Sequence, residues 1–254
     1  MLHFIRVLVC FVVVSQIPNA AQVPQSSLAD DIEAVRSSVA RVDVRFSDHS
    51  GGSGTGVFVN DDGYLVTAAH VVTAPSGKTV ADVEVVTRIP PTNQGGVIVT
   101  GSFSGSTAKV IVVDLVHDLA ILLPSQNPFK DRRTGLVAGG SDVQRSAVSF
   151  AKIDPRKLRD GEPVFVSGYP LSNNTLVTTS GNIASTRDYP VQSPRSLAFG
   201  YIADIHVNPG NSGGPVFSKE GRRVIGICLA ARGEKHHFHA AIDPLLTIRW
   251  QAIQ

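Results

Sequence analysis

The stretch Asn208-Pro209-Gly210-Asn211-Ser212-Gly213-Gly214-Pro215 decides how this chain is read. A serine follows a turn-forming Asn-Pro-Gly-Asn and precedes two glycines, and the apolar pair Val216-Phe217 comes next. Glycines on both sides free the backbone to fold back, so that N–H groups can point at the same spot as the hydroxyl. That is the arrangement acyl transfer needs, a nucleophile and an oxyanion pocket on one loop. The same residues also make ordinary turns between strands, so the rest of the chain has to choose between the two readings.

Two segments choose. In Tyr64-Leu65-Val66-Thr67-Ala68-Ala69-His70-Val71-Val72, apolar and small residues run into a histidine. A histidine at the end of a buried strand is held firmly yet can face a cleft. In Val116-His117-Asp118-Leu119-Ala120-Ile121-Leu122-Leu123, an aspartate opens an apolar run, so its carboxylate is expected to be partly buried. A buried carboxylate needs a partner, and an imidazole N–H would serve. The order His, Asp, Ser is one in which this triad is known to occur. His117 is the competing base, but neighbours on a strand face opposite ways, which favours His70.

These segments resemble the chymotrypsin-like serine proteases, specifically the HtrA (Deg) branch. The resemblance rests on Ser53-Gly54-Thr55-Gly56-Val57, Thr67-Ala68-Ala69-His70, His117-Asp118-Leu119-Ala120-Ile121-Leu122 and the Ser212 stretch, in that order. Gly168-Tyr169-Pro170, Thr179-Ser180-Gly181-Asn182-Ile183 and Val224-Ile225-Gly226-Ile227 are further echoes, and the match spans about residues 35–245. The resemblance implies a site in the cleft between two barrels, with His70 and Asp118 from the first and Ser212 from the second. It implies a serine endopeptidase in which the backbone N–H groups of Gly210 and Ser212 bind the oxyanion, with no cofactor and with polypeptide substrates. His206, six residues before the serine, and Leu229 are the expected lining of the substrate pocket. Trypsin-like enzymes carry aspartate at the first of these positions, so a preference for Arg or Lys is not expected. A small aliphatic or an acidic preference stays open. Asn211 replaces the aspartate that pairs with a new N-terminus in pancreatic-type zymogens, so activity without such cleavage is expected. Relatives of this branch are often trimers, and a homo-oligomer is compatible with the chain. The 42 residues after Ser212 leave room to finish a barrel and add a helix, and no PDZ domain is expected. The rival of another class is a catalytically silent scaffold that binds a partner or an unfolded chain. An esterase of the usual kind is disfavoured by the missing G-x-S-x-G and α/β pattern.

Composition narrows the remaining classes. The 254 residues are 43% hydrophobic and 17% charged, with a formal net charge of +2, which argues against a nucleic-acid binder. The basic clusters Lys130-Asp131-Arg132-Arg133 and Arg156-Lys157-Leu158-Arg159 read as solvated loops. At the start, His3 and Arg6 precede the apolar run 7–14 and small residues to Ala21, which reads as a signal peptide over 1–21. The run is short for a membrane span, so no stable span is expected after cleavage, and the mature chain is expected in the periplasm or secreted. Cleavage would remove Cys10 and leave Cys228, a packed core thiol with no disulfide partner. His236, His237 and His239 lack further ligands at matching spacing, and no metal is expected. The glycines of 51–56 lack the lysine and helix of a phosphate loop and read as close backbone packing behind the cleft.

Periodicity supplies the architecture. Ser27 can cap a helix over 27–42, with Leu28, Ile32, Val35 and Val39 at helical spacing. Short apolar segments then alternate with turns at 42–46, 56–59, 64–68, 83–89, 97–100, 109–113 and 119–123. After a polar connection they resume at 163–167, 175–179, 201–206, 216–218, 224–230 and 238–242. The pattern predicts an all-β chain of two six-stranded antiparallel barrels with short helices at each end. The barrels fall at about 40–124 and 161–242, joined by a linker at about 125–160. A final helix is expected at 243–253, where Asp243 and Pro244 suit a start.

Overall fold

A computed structural model of the chain describes residues 27–89, 92–94, 97–99, 102–129, 149–154, 156, 158–193, 196–220, 222–232 and 237–241. The expected signal peptide and C-terminal helix lie outside these residues, as does most of the linker.

The first element is a helix, α1 (Leu28–Val35). Ser27 caps it, accepting from the Asp30 N–H, while the Asp30 carboxylate accepts from the Ser27 N–H in a reciprocal box. The helix is shorter than its periodicity predicted. One 3₁₀ turn (Arg36–Ser38) follows, and the chain enters a strand at Val39. Val39 lies opposite Val57 in a ladder, so strand pairing has taken the last turn that helical spacing would have claimed.

Barrel one consists of β1 (Val39–Phe46), β2 (Gly51–Phe58), β3 (Leu65–Ala68), β4 (Val80–Ile89), β7 (Ser102–Asp114) and β8 (Leu119–Pro124), closed in the order β1-β2-β3-β8-β7-β4. The short β5 (Thr92–Gln94) and β6 (Val97–Val99) pair only with each other. Barrel two closes as β10-β11-β14-β13-β12-β9. Its strands are β9 (Pro163–Gly168), β10 (Val177–Ser193), β11 (Ser196–Asp204), β12 (Pro215–Ser218), β13 (Val224–Arg232) and β14 (His237–Ala241). All barrel pairings are antiparallel, and closure leaves no free edge in either barrel.

Each barrel has its own cluster of apolar side chains. Val42, Val57, Phe58, Leu65, Val66 and Leu122 in the first are fully buried, and Val164, Val166, Ile183, Val216 and Ile225 in the second are buried as well. Each such side chain contributes about 1.5–3 kcal/mol relative to exposure. Phe165 and Phe217 stack at 5.1 Å between ring centroids. The core cluster of barrel one extends through Tyr169, Phe217, Ile227 and Leu229, so the barrels are packed on each other. The segment 149–154 is not a free loop. Ala151 donates to the Phe58 carbonyl (2.8 Å) and Asp154 to the Val224 carbonyl (2.8 Å), so it runs along both barrels.

Candidate active site

The ladder between β3 and β8 places His70 and Asp118. Ala68 lies opposite Leu119, so the residues just beyond the ends of these strands are neighbours. The Ala69 N–H donates to the Asp118 carbonyl at 3.0 Å, and His70 sits in the 3₁₀ turn Ala69–Val71. Asp118 adopts φ +55°, a left-handed conformation that aspartate tolerates better than most residues. That turn aims both carboxylate oxygens at His70. Oδ1 accepts from the His70 backbone N–H at 2.8 Å, and Oδ2 lies 2.7 Å from Nδ1. A carboxylate only accepts, so Nδ1 carries the proton and Nε2 is left as an acceptor. The carboxylate is largely covered, with 16% of its side chain exposed against 34% for the imidazole.

The serine loop is held peptide by peptide. A trans peptide points its N–H opposite to its carbonyl, so fixing one fixes the other. The Pro209 carbonyl accepts from the Leu171 N–H (2.6 Å) and the Asn211 carbonyl from the Gly214 N–H (2.8 Å). The N–H groups of Gly210 and Ser212 belong to these two peptides, point the other way, and meet no acceptor among the described residues. The intervening peptides are anchored too: Asn211 N–H donates to the Asn208 carbonyl (3.0 Å) and Gly213 N–H to the Cys228 carbonyl (2.7 Å). Gly210 must be glycine, because at φ +100° a Cβ would lie 2.4 Å from the Tyr169 carbonyl oxygen. Leu171 and Ser172 hold the outer side in left-handed conformations of their own (φ +56° and +55°), a strain kept by the bond to Pro209 and by contact between the Ser172 and Ser53 hydroxyls at 2.8 Å.

Barrel one docks against this loop. The Thr55 N–H donates to the Ser212 carbonyl at 2.8 Å. The fully buried Thr55 hydroxyl donates to the Gly210 carbonyl (2.7 Å) and accepts from the Tyr169 N–H (2.9 Å). A Cβ on Gly54 would meet Val71, the residue after His70, at 2.6 Å and the Ser212 carbonyl oxygen at 2.9 Å. One on Gly213 would strike Thr67 Oγ1 at 2.1 Å and the Ala68 nitrogen at 2.7 Å. The backbone of Ser212–Gly213 therefore lies against the end of β3, within two residues of His70. The glycine run read as close packing behind the cleft is this contact, although it is also a strand, β2.

Other expected residues take other places. His117 turns away, its Nδ1 2.7 Å from the Asp114 carboxylate. Burial pushes that carboxyl up, but hydrogen bonds from the His117 ring and backbone outweigh it and hold the group below its ordinary value. Strand alternation is not what separates His117 from Asp118, since both lie in the turn before β8. His206 is exposed, and its carbonyl accepts from Thr179 Oγ1 at 2.7 Å. Leu229 is buried in the core cluster that spans the barrels. Cys228 is buried, and desolvation drives its thiol pKa far above the ordinary value. His236 and the side chains of His237 and His239 lie outside the described residues. Thr55 and Tyr169 lie inside the 53–57 and 168–170 segments and Leu171 beside the second, but residue spacing carries no signal that their hydrogen bonds converge on the serine loop.

Two barrels with this loop and this His–Asp pair at their junction define a chymotrypsin-like serine protease fold. The chain belongs to the trypsin-like peptidase domain family, whose model matches residues 54–227. Within it the chain is HtrA-like. It is 30% identical over 189 residues to the serine protease Do-like HtrA of Bacillus subtilis (strain 168), covering 71% of this chain and 34% of that protein. It is 33% identical over 177 residues to a probable periplasmic serine endoprotease DegP-like of Rhizobium meliloti (strain 1021), covering 70% and 27%. To serine protease HTRA1A of Danio rerio it is 30% identical over 220 residues, covering 83% and 38%. The chain thus spans about a third of the length of these relatives. Among solved structures, Deg5 superposes with a TM-score of 0.60 at 18% identity, covering 86% of this chain and 90% of that one. The Rv3671c protease in its inactive form gives 0.58 at 20% identity, covering 88% and 92%. No helix among the described residues is long and apolar enough to cross a membrane.

Proposed function

We propose that this chain is an exported serine endopeptidase that cleaves polypeptides through an acyl-enzyme. Ser212 attacks the scissile carbonyl, His70 Nε2 takes its proton and returns it to the leaving amine, and Asp118 holds the imidazole in that tautomer and stabilises its charged form. The Gly210 and Ser212 N–H groups receive the developing oxyanion. The observation that carries the reading is the pairing of a fixed His70–Asp118 dyad with two anchored, unspent N–H donors on the serine loop. The nucleophile–base bond often tightens only when substrate is bound. Export is supported by the apolar N-terminal run and by the similar DegP-like protein, named as periplasmic.

Asn211 supports activity without zymogen cleavage. Its side chain is buried, and Oδ1 has no hydrogen-bond partner among the described residues. A carboxylate there would need a cation, whereas the neutral amide does not. His206 supports a pocket that rejects Arg and Lys, and a peptide library cleaved mainly after Arg or Lys would refute that part. The test of the whole is fluorophosphonate labelling of the purified chain beside Ser212→Ala and His70→Ala. Labelling of the wild type alone is expected. A folded wild type that does not label would leave a silent, partner-binding scaffold as the reading.

A further inference from the structure

We propose that Thr55 is a positioning residue for catalysis, through which barrel one sets the oxyanion donors of barrel two. The inference rests on the serine-protease reading above. Thr55 is completely buried and every polar atom it has is spent near the nucleophile. Its N–H holds the Ser212 carbonyl, its hydroxyl proton goes to the Gly210 carbonyl, and a hydroxyl lone pair takes the Tyr169 N–H. Its own carbonyl accepts from Thr67 Oγ1 at 2.7 Å, which ties it to the strand leading to His70.

The hydroxyl has a consequence that packing alone would not give. Gly210 is the pivot of the loop, since its N–H and its carbonyl belong to adjacent peptides. Leu171 fixes the peptide before it, and Thr55 Oγ1 fixes the peptide after it. Glycine at φ +100° has wide conformational freedom, so without the Thr55 bond the Gly210–Asn211 peptide, which links the two donor peptides, is left with the Asn211 N–H to Asn208 contact (3.0 Å), and the angle between the Gly210 and Ser212 N–H groups can drift. The partner contact with Tyr169 N–H holds Leu171 in register from the other side. Only a side chain with one donor and one acceptor on a single atom meets both demands here, and serine shares that property. The Gly168 backbone lies close by, and a Cβ there would stand 3.0 Å from this oxygen.

The test uses the whole chain as Thr55→Val, Thr55→Ala and Thr55→Ser. Loss of an oxyanion donor lowers kcat by roughly 10²–10³-fold. A donor displaced rather than deleted should lower it by roughly 10–100-fold in the valine and alanine variants, with KM within about threefold. Affinity for a peptidyl boronate, which mimics the oxyanion, should fall in parallel, while affinity for an uncleavable substrate peptide should not. Serine should restore kcat. Three results overturn the proposal: valine and alanine variants with wild-type kcat, a loss that appears in KM alone, or hydroxyl-free variants that do not fold at all, which would make Thr55 a folding residue. If the wild type itself neither labels nor turns over, the protease reading has failed. If the wild type is active and Thr55→Val equals it, only the role of Thr55 has.

Discussion

Replacing Asp118 by asparagine tests the dyad with minimal disturbance. Asparagine is isosteric and tolerates the left-handed φ of +55° as aspartate does. The two sides of the carboxylate face different demands. Oδ1 accepts from the His70 backbone N–H at 2.8 Å, and a backbone N–H cannot reverse its role. The amide oxygen of the substituted side chain must therefore stay there, because the flipped amide would set donor against donor. The amide NH₂ then faces Nδ1 across the 2.7 Å contact. Since that group only donates, Nδ1 must become the acceptor and the imidazole proton moves to Nε2. Nε2 can no longer take the proton of Ser212. In the general template this exchange lowers kcat by about 10⁴-fold, equivalent to about 5.5 kcal/mol of barrier. Folding should lose only about 1–2 kcal/mol, the difference between a charge-assisted and a neutral hydrogen bond. The assay is kcat on a fluorogenic protein substrate, with the fluorophosphonate labelling rate and a melting curve beside it. A variant with unchanged melting and a kcat within about tenfold of wild type would refute the tautomer argument.

Gly213→Ala should cost about 3 kcal/mol or more by denaturant unfolding, because φ is +81° and the new Cβ meets Thr55 O at 2.3 Å and Thr67 Oγ1 at 2.1 Å; a loss under about 1 kcal/mol would contradict the tight docking. Asn211→Asp should be destabilised in a pH-dependent way. A buried carboxyl without a cation has a folded-state pKa above its unfolded value, so the variant keeps its stability near pH ~4 and loses about 2–4 kcal/mol relative to wild type towards pH ~7, and a pH-independent difference would count against that environment. Arg222→Ala should destabilise by about 1–3 kcal/mol, since Arg222 Nε lies 2.8 Å from the buried Asp31 carboxylate of α1 and is itself 40% exposed; equal unfolding midpoints would remove this pair from the anchoring of the helix. Cys228 should resist a thiol reagent under mildly alkaline conditions in the folded chain and react on unfolding, and fast reaction in the native state would mean the β13 core is open.

What could be read from the sequence, and what could not, follows from the range of the interactions involved. His70, Asp118 and Ser212 sit in short segments whose local chemistry is unusual, so each marked itself. The barrel strands with apolar runs, such as β3, β8 and β9, announced themselves for the same reason. Strands β7 and β10 were longer than expected, because stretches such as Ser102-Phe103-Ser104-Gly105-Ser106-Thr107 carry little apolar pattern and are held by ladder bonds to β4. The helix was overdrawn at Val39 because its spacing fits a further helical turn, while its actual partner, Val57, lies in another element. Thr55 is the sharpest case. It is a polar residue among glycines in the 53–57 segment, yet its hydroxyl bonds Gly210 and Tyr169, 155 and 114 residues away. Local pattern therefore marked the residues proposed to react, whereas the bonds proposed to aim them became visible only when the barrels were docked. The proposed role of Thr55 has a physical consequence: where bonds between the barrels help to set the donors of the serine loop, loosening the interface should lower turnover before it unfolds either barrel.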